Sequence, residues 1–306
     1  MKIAYLLLAH NQPLHLSRLI NRLNHTGTRF FVHVDKSSDL REFANYLHGS
    51  SATLIRPRLS SPWGGLGLVK ATLSGIKAII RSGFDYDYIV LISGNDYPIK
   101  PNKFISEFLS ANNQSSNYIY CHVMNPGIDH EEFRRIQKYF VRVGSNLIIY
   151  PGQNASITLA EKLTQRFCKL LFGNYPRQFI PGVVPVFGSQ WWALNNKAIK
   201  FIATYLDDNP EFLKYFRYSF VPDEMFFQTI LYGTGNEEIM QTIVAESHDS
   251  RLTFTHWDRP DELYGQALTL NDFSSLKDST KLFARKFDEL KSRDLLNLID
   301  SEILIL

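Results

Sequence analysis

The sequence predicts an α/β protein built on a mostly parallel sheet. Short, wholly apolar runs alternate with segments of helical period, and the apolar runs break off at polar clusters. Residues 3 to 9 form the first run and read as a buried strand. Leu14 to Leu23 carries leucine and isoleucine at helical spacing, and a second strand follows at Phe30-Phe31-Val32-His33-Val34, ending on Asp35-Lys36. A third short strand is expected from Ala52 to Arg56. Trp63-Gly64-Gly65 opens a helix over Leu68 to Arg81, and Tyr88-Ile89-Val90-Leu91-Ile92 is a fourth strand that runs into Ser93-Gly94-Asn95-Asp96. Ligands of open α/β sheets bind beyond the carboxyl ends of the strands. His10-Asn11, Asp35-Lys36 and Ser93 to Asp96 all stand at such ends.

The second half is less regular. Tyr118 to His122 reads as a strand and His130 to Tyr139 as a charged segment. Residues 154–172 form an amphipathic helix with Lys162, Arg166 and Lys169 among Leu159, Leu163, Phe167 and Leu171. That pattern suits either a core-packed helix with a solvated face or a helix that touches a membrane surface or an acceptor. Phe179 to Phe187 reads as an apolar loop leading into a strand at Gly188 to Leu194, and the tail beyond about 275 as helical. No repeat or low-complexity linker marks a domain boundary.

At 306 residues, 44% of them hydrophobic and 21% charged, the chain can bury a large core in one domain or a tightly fused pair. A net charge of +3 with no long basic run argues against nucleic acid, and suits an anionic substrate or an acidic membrane surface. Cys121 and Cys168 have neither metal-site spacing nor a disulfide framework, so a reducing compartment is the simplest assumption. The apolar opening from Met1 to Ala9 passes into His10-Asn11-Gln12 without a cleavage site, and no run approaches the roughly 18 apolar residues of a membrane span.

Several chemistries lack their motifs. There is no G-x-G-x-x-G after the first strand, no G-x-x-x-x-G-K-[ST], no H-E-x-x-H and no G-x-S-x-G, which argues against dinucleotide, P-loop, zinc-protease and serine-hydrolase sites. Asp85-Tyr86-Asp87 spells D-x-D but precedes its strand, and reads as a turn. Val221-Pro222-Asp223-Glu224 puts two carboxylates at the start of an apolar, helical run. Alone, this is what an acidic helix start looks like, because free N–H groups favour carboxylates there; a general base looks the same.

The ordered set of segments resembles glycosyltransferase family 14, the core-2/I-branching β-1,6-N-acetylglucosaminyltransferases and the peptide O-xylosyltransferases. Leu91 to Lys100, with Ser93-Gly94-Asn95-Asp96-Tyr97-Pro98-Ile99-Lys100, is similar to that family's "SGxDYPIK" segment. Five further blocks keep the family order: Ala9-His10 with Val32 to Lys36, Trp63-Gly64-Gly65, Gly188 to Trp192, Val221 to Glu224, and Lys281 to Asp288. Together they cover about nine-tenths of the chain.

The resemblance implies a GT-A-like fold, a Rossmann-type mixed central sheet flanked by helices. It implies one domain over residues 1–306, with a donor-binding part at about 1–120 and an acceptor and catalytic part at about 121–306. The implied reaction is inverting transfer from a UDP-sugar, most simply UDP-N-acetylglucosamine, to a glycan or lipid-linked oligosaccharide, with no metal or other cofactor. UDP-xylose, UDP-glucose and UDP-glucuronic acid stay open as donors, as does a noncatalytic carbohydrate- or nucleotide-binding protein of the same fold. Glu224 matches the base position, and Arg251 and Lys286 match the cations that hold the diphosphate. His10, Asp35, Trp63, Ser93 and Gly94 are implied at the donor, and Glu132, Arg135, Gln190 and Trp191 at the acceptor. Asp96 is expected to order the turn before Pro98. Gln190 stands where the xylosyl relatives carry an acid, which weakens the xylose reading. The few cysteines make a bacterial, cytoplasmic protein the expectation, with peripheral contact on the inner face of the membrane as one further partner.

Overall fold

The computed structural model describes residues 1–143, 146–151, 159–173, 176–244, 251–255 and 266–305. Its first third alternates as expected, with one further helix, α2, between the second and third strands: β1 (Ile3–Ala9), α1 (Pro13–Leu23), β2 (Thr28–Val34), α2 (Leu40–Leu47), β3 (Ala52–Leu54), α3 (Gly67–Arg81) and β4 (Tyr88–Ser93). β5 (Tyr97–Pro98), α4 (Asn102–Ser110), β6 (Cys121–Val123), α5 (His130–Gln137), the strands β7 (Tyr139–Val143) and β8 (Asn146–Tyr150), and α6 (Leu159–Phe172) follow. Next come β9 (Val186–Gly188), β10 (Trp192–Asn195), α7 (Asn196–Asp208), α8 (Pro210–Phe216), α9 (Phe226–Gln228) and α10 (Glu237–Met240). The chain closes with β11 (Thr253–Phe254), α11 (Phe273–Asp278), β12 (Phe283–Ala284) and α12 (Arg293–Glu302).

The central sheet has the order β10-β4-β1-β2-β3. β1 runs parallel to both β2 and β4, and β10 pairs antiparallel with β4, so the sheet is mixed. All of β1 is buried because both faces of the sheet are covered. Ile3, Tyr5 and Leu7 pack with Leu16 and Leu19 of α1 and Ile299 of α12. Ala4, Leu6 and Leu8 face the other way, into a core with Val69 and Ile76 of α3 and Phe226 of α9. The two-residue alternation along one uniformly apolar strand thus serves two separate cores.

A small sheet of order β11-β12-β5 decides where the end of the chain goes. Ala284 of β12 pairs with Tyr97 of β5, which brings Arg285 and Lys286 back to the Ser93–Asp96 turn. β10 likewise returns a second-half strand to the edge of the first-half sheet, so the two parts of the chain interlock.

The second half departs from expectation in several places. The expected strand at Tyr118 to His122 begins only at Cys121, while Tyr118 makes an isolated bridge to Ala193. The single strand expected over Gly188 to Leu194 is two strands, β9 paired to β6 and β10 paired to β4, with Ser189 to Trp191 crossing between sheets. Apolar continuity carries no information about which sheet a residue joins. The charged segment at His130 is helix α5, then strand β7. Pro222 to Glu224 forms a 3₁₀ turn where an ordinary helix start was expected. The tail expected to be helical contains β12. Residues 154–158 of the expected amphipathic helix lie outside the described residues.

Candidate active site

The carboxyl ends of β1, β2 and β4 come together through backbone hydrogen bonds. Asp35 N donates to Ala9 O at 2.8 Å, and Gly94 N donates to Leu8 O at 2.8 Å. A Cβ on Gly94 would stand 2.9 Å from the Cβ of Ala9, so this approach needs a glycine. Asp35 is buried and accepts from Ser37 N at 2.9 Å, Ser37 Oγ at 2.7 Å and Ser61 N at 2.7 Å. Burial works to raise its pKa, but these hydrogen bonds outweigh it and hold the carboxylate below its ordinary range. The imidazole of His10, exposed on one side, is pushed towards neutrality by partial desolvation and by the nearby Lys286 charge, against the pull of Asp35. Asp35, His10 and Lys286 therefore lie within electrostatic reach of one another.

Asp96 behaves as the turn-ordering residue expected of it. Its Oδ2 accepts from Ser93 N at 3.0 Å, and Ser93 Oγ accepts from Asn95 N at 3.1 Å. It is also the buried partner of Arg285, whose Nε lies 3.4 Å from Asp96 Oδ1. Burial raises the Asp96 pKa to about 6 in spite of that cation. Arg285 in turn lies over the ring of Trp191, 4.3 Å from its centroid. Phe287 N donates to Asn95 O at 2.9 Å, and Glu289 N donates to Gln12 Oε1 at 2.6 Å, which stitches this segment across both strand ends. Lys286, between them in the chain, has an exposed side chain; partial desolvation and Arg285 lower its pKa, while Asp96 opposes the shift.

Glu224 sits in a second cluster. Its Oε2 accepts from Arg135 Nη1 at 2.8 Å. Burial raises the Glu224 pKa; the charges of Arg135 and Arg251 and the Arg135 hydrogen bond oppose it, and Glu132 adds to it. Thus Glu132, Arg135 and Arg251 all surround Glu224. Arg251 lies over the ring of Tyr120 at 4.1 Å, and its Nε is buried without a hydrogen-bond partner among the described residues. Asp223 is also buried, and burial together with the Glu224 charge lifts its pKa to about 7.

The local backbone explains why Glu224 points here. Val221, just before Pro222, adopts a left-handed φ of 46°, a conformation that costs a β-branched residue roughly 1–3 kcal/mol unless its surroundings enforce it. Val221 N donates to Gly64 O at 3.0 Å, and Phe220 N donates to Arg135 O at 2.9 Å, so the turn is tied on both sides. Trp63 stands exposed beside it, its ring edge-on to Phe220 at 5.1 Å, and its carbonyl accepts from Arg142 Nη2 at 2.7 Å.

The sequence-derived residues therefore gather into two neighbouring groups. His10, Asp35, Ser93, Gly94 and Lys286 share the sheet edge; Glu132, Arg135, Glu224 and Arg251 share the second cluster, with Trp63 on its flank. Arg251 and Lys286 belong to different groups. β11 runs parallel to β12 with Thr253 opposite Phe283, so Arg251 precedes that pairing and Lys286 follows it. Trp191 contacts Arg285, on the sheet-edge side. Gln190 is half-buried, with its amide nitrogen unpaired among the described residues. Sequence pattern does not distinguish Arg285, although it stands beside Lys286 in the last family block; what marks it is its ion pair with the fully buried Asp96. Asp223 reads in sequence as a helix-start acid, and nothing local signals that it is buried. Asp85 and Asp87 pair with Lys2 at the opposite end of the sheet, in keeping with a turn. Among the described residues no group of three or more His, Cys, Asp or Glu could hold a metal ion.

A model of the Core-2/I-Branching enzyme family matches residues 3–277. The chain belongs to that family of glycosyltransferases. Xylosyltransferase 2 of Homo sapiens is 26% identical over 98% of this chain, which spans 33% of that protein. Xylosyltransferase of Ciona intestinalis is 26% identical over 99% of this chain and 34% of its own length. The chain thus corresponds to about a third of these curated relatives. Among solved structures, a glycosyltransferase involved in the glycosylation of the major capsid of PBCV-1 aligns over 98% of this chain and 100% of its own, with a TM-score of 0.39 and 11% identity. S. aureus TarS 1-349 aligns over 39% of this chain and 34% of its own, with a TM-score of 0.29 and 16% identity.

Proposed function

We propose that this protein is an inverting glycosyltransferase that uses a UDP-sugar, with Glu224 as the general base and basic side chains in place of a bound metal. The observation that carries the reading is the half-buried Glu224, paired to Arg135 and beside Arg251, next to a sheet edge that holds Lys286 and Arg285. Inverting transfer needs one base to take the acceptor hydroxyl's proton and positive charge to stabilise the departing diphosphate. Burial raises the proton affinity of Glu224, which suits it to that role. In this reading Asp35 and His10 meet the nucleoside, while Lys286 and Arg251 approach the diphosphate from its two sides. Arg135 releases Glu224 when the acceptor hydroxyl arrives.

UDP-N-acetylglucosamine is the donor we propose, and a glycan or lipid-linked oligosaccharide the acceptor, with the reaction in the cytoplasm. UDP-xylose is the second reading, favoured by the xylosyltransferases that match over nearly the whole chain. A calorimetric screen of UDP, UDP-N-acetylglucosamine, UDP-xylose, UDP-glucose and UDP-glucuronic acid, with and without a chelator, separates them. Chelator-insensitive binding that prefers one UDP-sugar is the expected result. Binding that collapses with chelator overturns metal independence, and failure to bind any of the five overturns the donor assignment.

A further inference from the structure

We infer that the outward side of α6 is a docking surface for an anionic lipid bilayer. The helix has three faces. Thr164, Gln165, Cys168 and Phe172 turn inward: Cys168 is buried, Gln165 Nε2 donates to Ile149 O at 2.7 Å, and Phe172 stacks on Tyr139 at 4.3 Å. Leu163, Phe167, Leu170 and Leu171 face solvent, 62%, 59%, 83% and 59% exposed. Lys162, Arg166 and Lys169, also exposed, form a third strip. At the helical step of about 100° per residue, the apolar strip is centred roughly 120° from both the inward face and the basic strip.

Scattered exposed leucines need no explanation, but four large apolar residues on one side of one helix do. Core packing cannot supply it, because the packed face is a different one. The basic strip alongside identifies the occupant. An interfacial helix sinks its apolar side between lipid tails while lysine and arginine meet anionic headgroups. A second copy suits the surface less well, because an antiparallel two-fold contact through this helix would bring its own cations against their equals, and a parallel one would leave the basic strips without an anionic partner.

The position of the helix gives the contact a use. α6 rests on the paired strands β7 and β8, and β7 reaches the Glu224 turn: Phe140 stacks on Phe220 at 4.8 Å, and Arg142 bonds the carbonyl of Trp63. A bilayer held under α6 therefore lies on the Glu224 side of the molecule, where a lipid-borne acceptor would enter. This last step rests on the reading of Glu224 as base; bilayer binding does not.

The test is co-sedimentation of the full chain with vesicles of phosphatidylcholine alone or mixed with phosphatidylglycerol. The protein should bind the mixed vesicles and dissociate as salt is raised. The variant L163S/F167S/L170S and the variant K162E/R166E/K169E should each bind at least tenfold more weakly; both change only exposed side chains, and circular dichroism checks their folding. UDP-sugar binding, measured in parallel, should be the same in all three proteins. Absence of binding to mixed vesicles, or binding by either variant as tight as that of the unmodified protein, overturns the inference. So does a concentration-dependent dimer that L163S/F167S/L170S disperses in a protein that ignores vesicles. Loss of UDP-sugar binding with vesicle binding intact would instead count against the catalytic reading.

Discussion

At the sheet edge, Asp35, Gly94 and Asp96 extend strands that are buried along almost their whole length and joined in parallel register. Glu224, by contrast, stands at the end of a three-residue 3₁₀ turn, held by a left-handed Val221 and a few hydrogen bonds to Gly64 and Arg135. The sheet edge is rigid because continuous ladders and two cores carry it. The Glu224 cluster depends on single contacts, and its central ion pair can be exchanged for another partner. That difference suits a site in which one part binds a phosphorylated donor the same way each time while the other must take up a proton and admit an acceptor.

The largest effect expected is on turnover. Glu224→Gln keeps the shape and removes the base, and should lower kcat by about 10²–10⁴-fold while UDP-sugar binding measured by calorimetry stays near wild type. Wild-type turnover in this variant would make the second cluster structural and end the contrast. Next is a pair of glycine substitutions. A Cβ on Gly188 would lie 1.7 Å from the backbone oxygen of Tyr120, whereas one on Gly94 meets the Cβ of Ala9 at 2.9 Å. Gly188→Ala should cost roughly 3 kcal/mol, at the upper end for overpacking, and Gly94→Ala about 1 kcal/mol, read from denaturant midpoints. The larger loss should fall at Gly188, on the β6–β9 pair, where backbone packs on backbone.

Lys286→Ala and Arg251→Ala should each weaken UDP binding, by about 10-fold given the worth of a charge-assisted hydrogen bond. They should differ in kind, because Lys286 shares the sheet edge with Asp96 and Arg251 shares the second cluster with Glu224. Of these two, Arg251→Ala alone should also move the pH profile. The smallest effect is a shift of that profile in Arg135→Ala. Burial holds the Glu224 pKa above its ordinary value and Arg135 pulls it down. A base works when ionised, so the acid limb of kcat/KM should already lie above the usual glutamate range, and removing Arg135 should move it to higher pH. A shift to lower pH would contradict the pairing.

Much of the sheet edge was legible in sequence because each strand there is an uninterrupted apolar run, and its end is marked by a change to polar residues. That rule marked the clusters His10-Asn11, Asp35-Lys36 and Ser93 to Asp96, and the family resemblance singled out His10, Asp35 and Ser93 within them. The second cluster had no such marker. Pro222-Asp223-Glu224 was equally an acidic helix start, and only its company along the chain set it apart. Asp223 and Arg285 could not be picked out, because what distinguishes them is burial among residues distant in sequence.

The sequence by itself determined the alternation of strands and helices in the first third, the polar ends where a ligand would sit, and the ordered blocks that mark the family. These are properties of neighbouring residues, and periodicity records them. Only the tertiary structure decided that β12 pairs with β5, that Ser189 to Trp191 cross between sheets, and that Arg251 and Lys286 reach the site in different groups. It also decided that α6 turns four large apolar side chains outward. Local pattern says that a side chain wants a partner; which partner it gets depends on contacts made across hundreds of residues, and no window of sequence contains them.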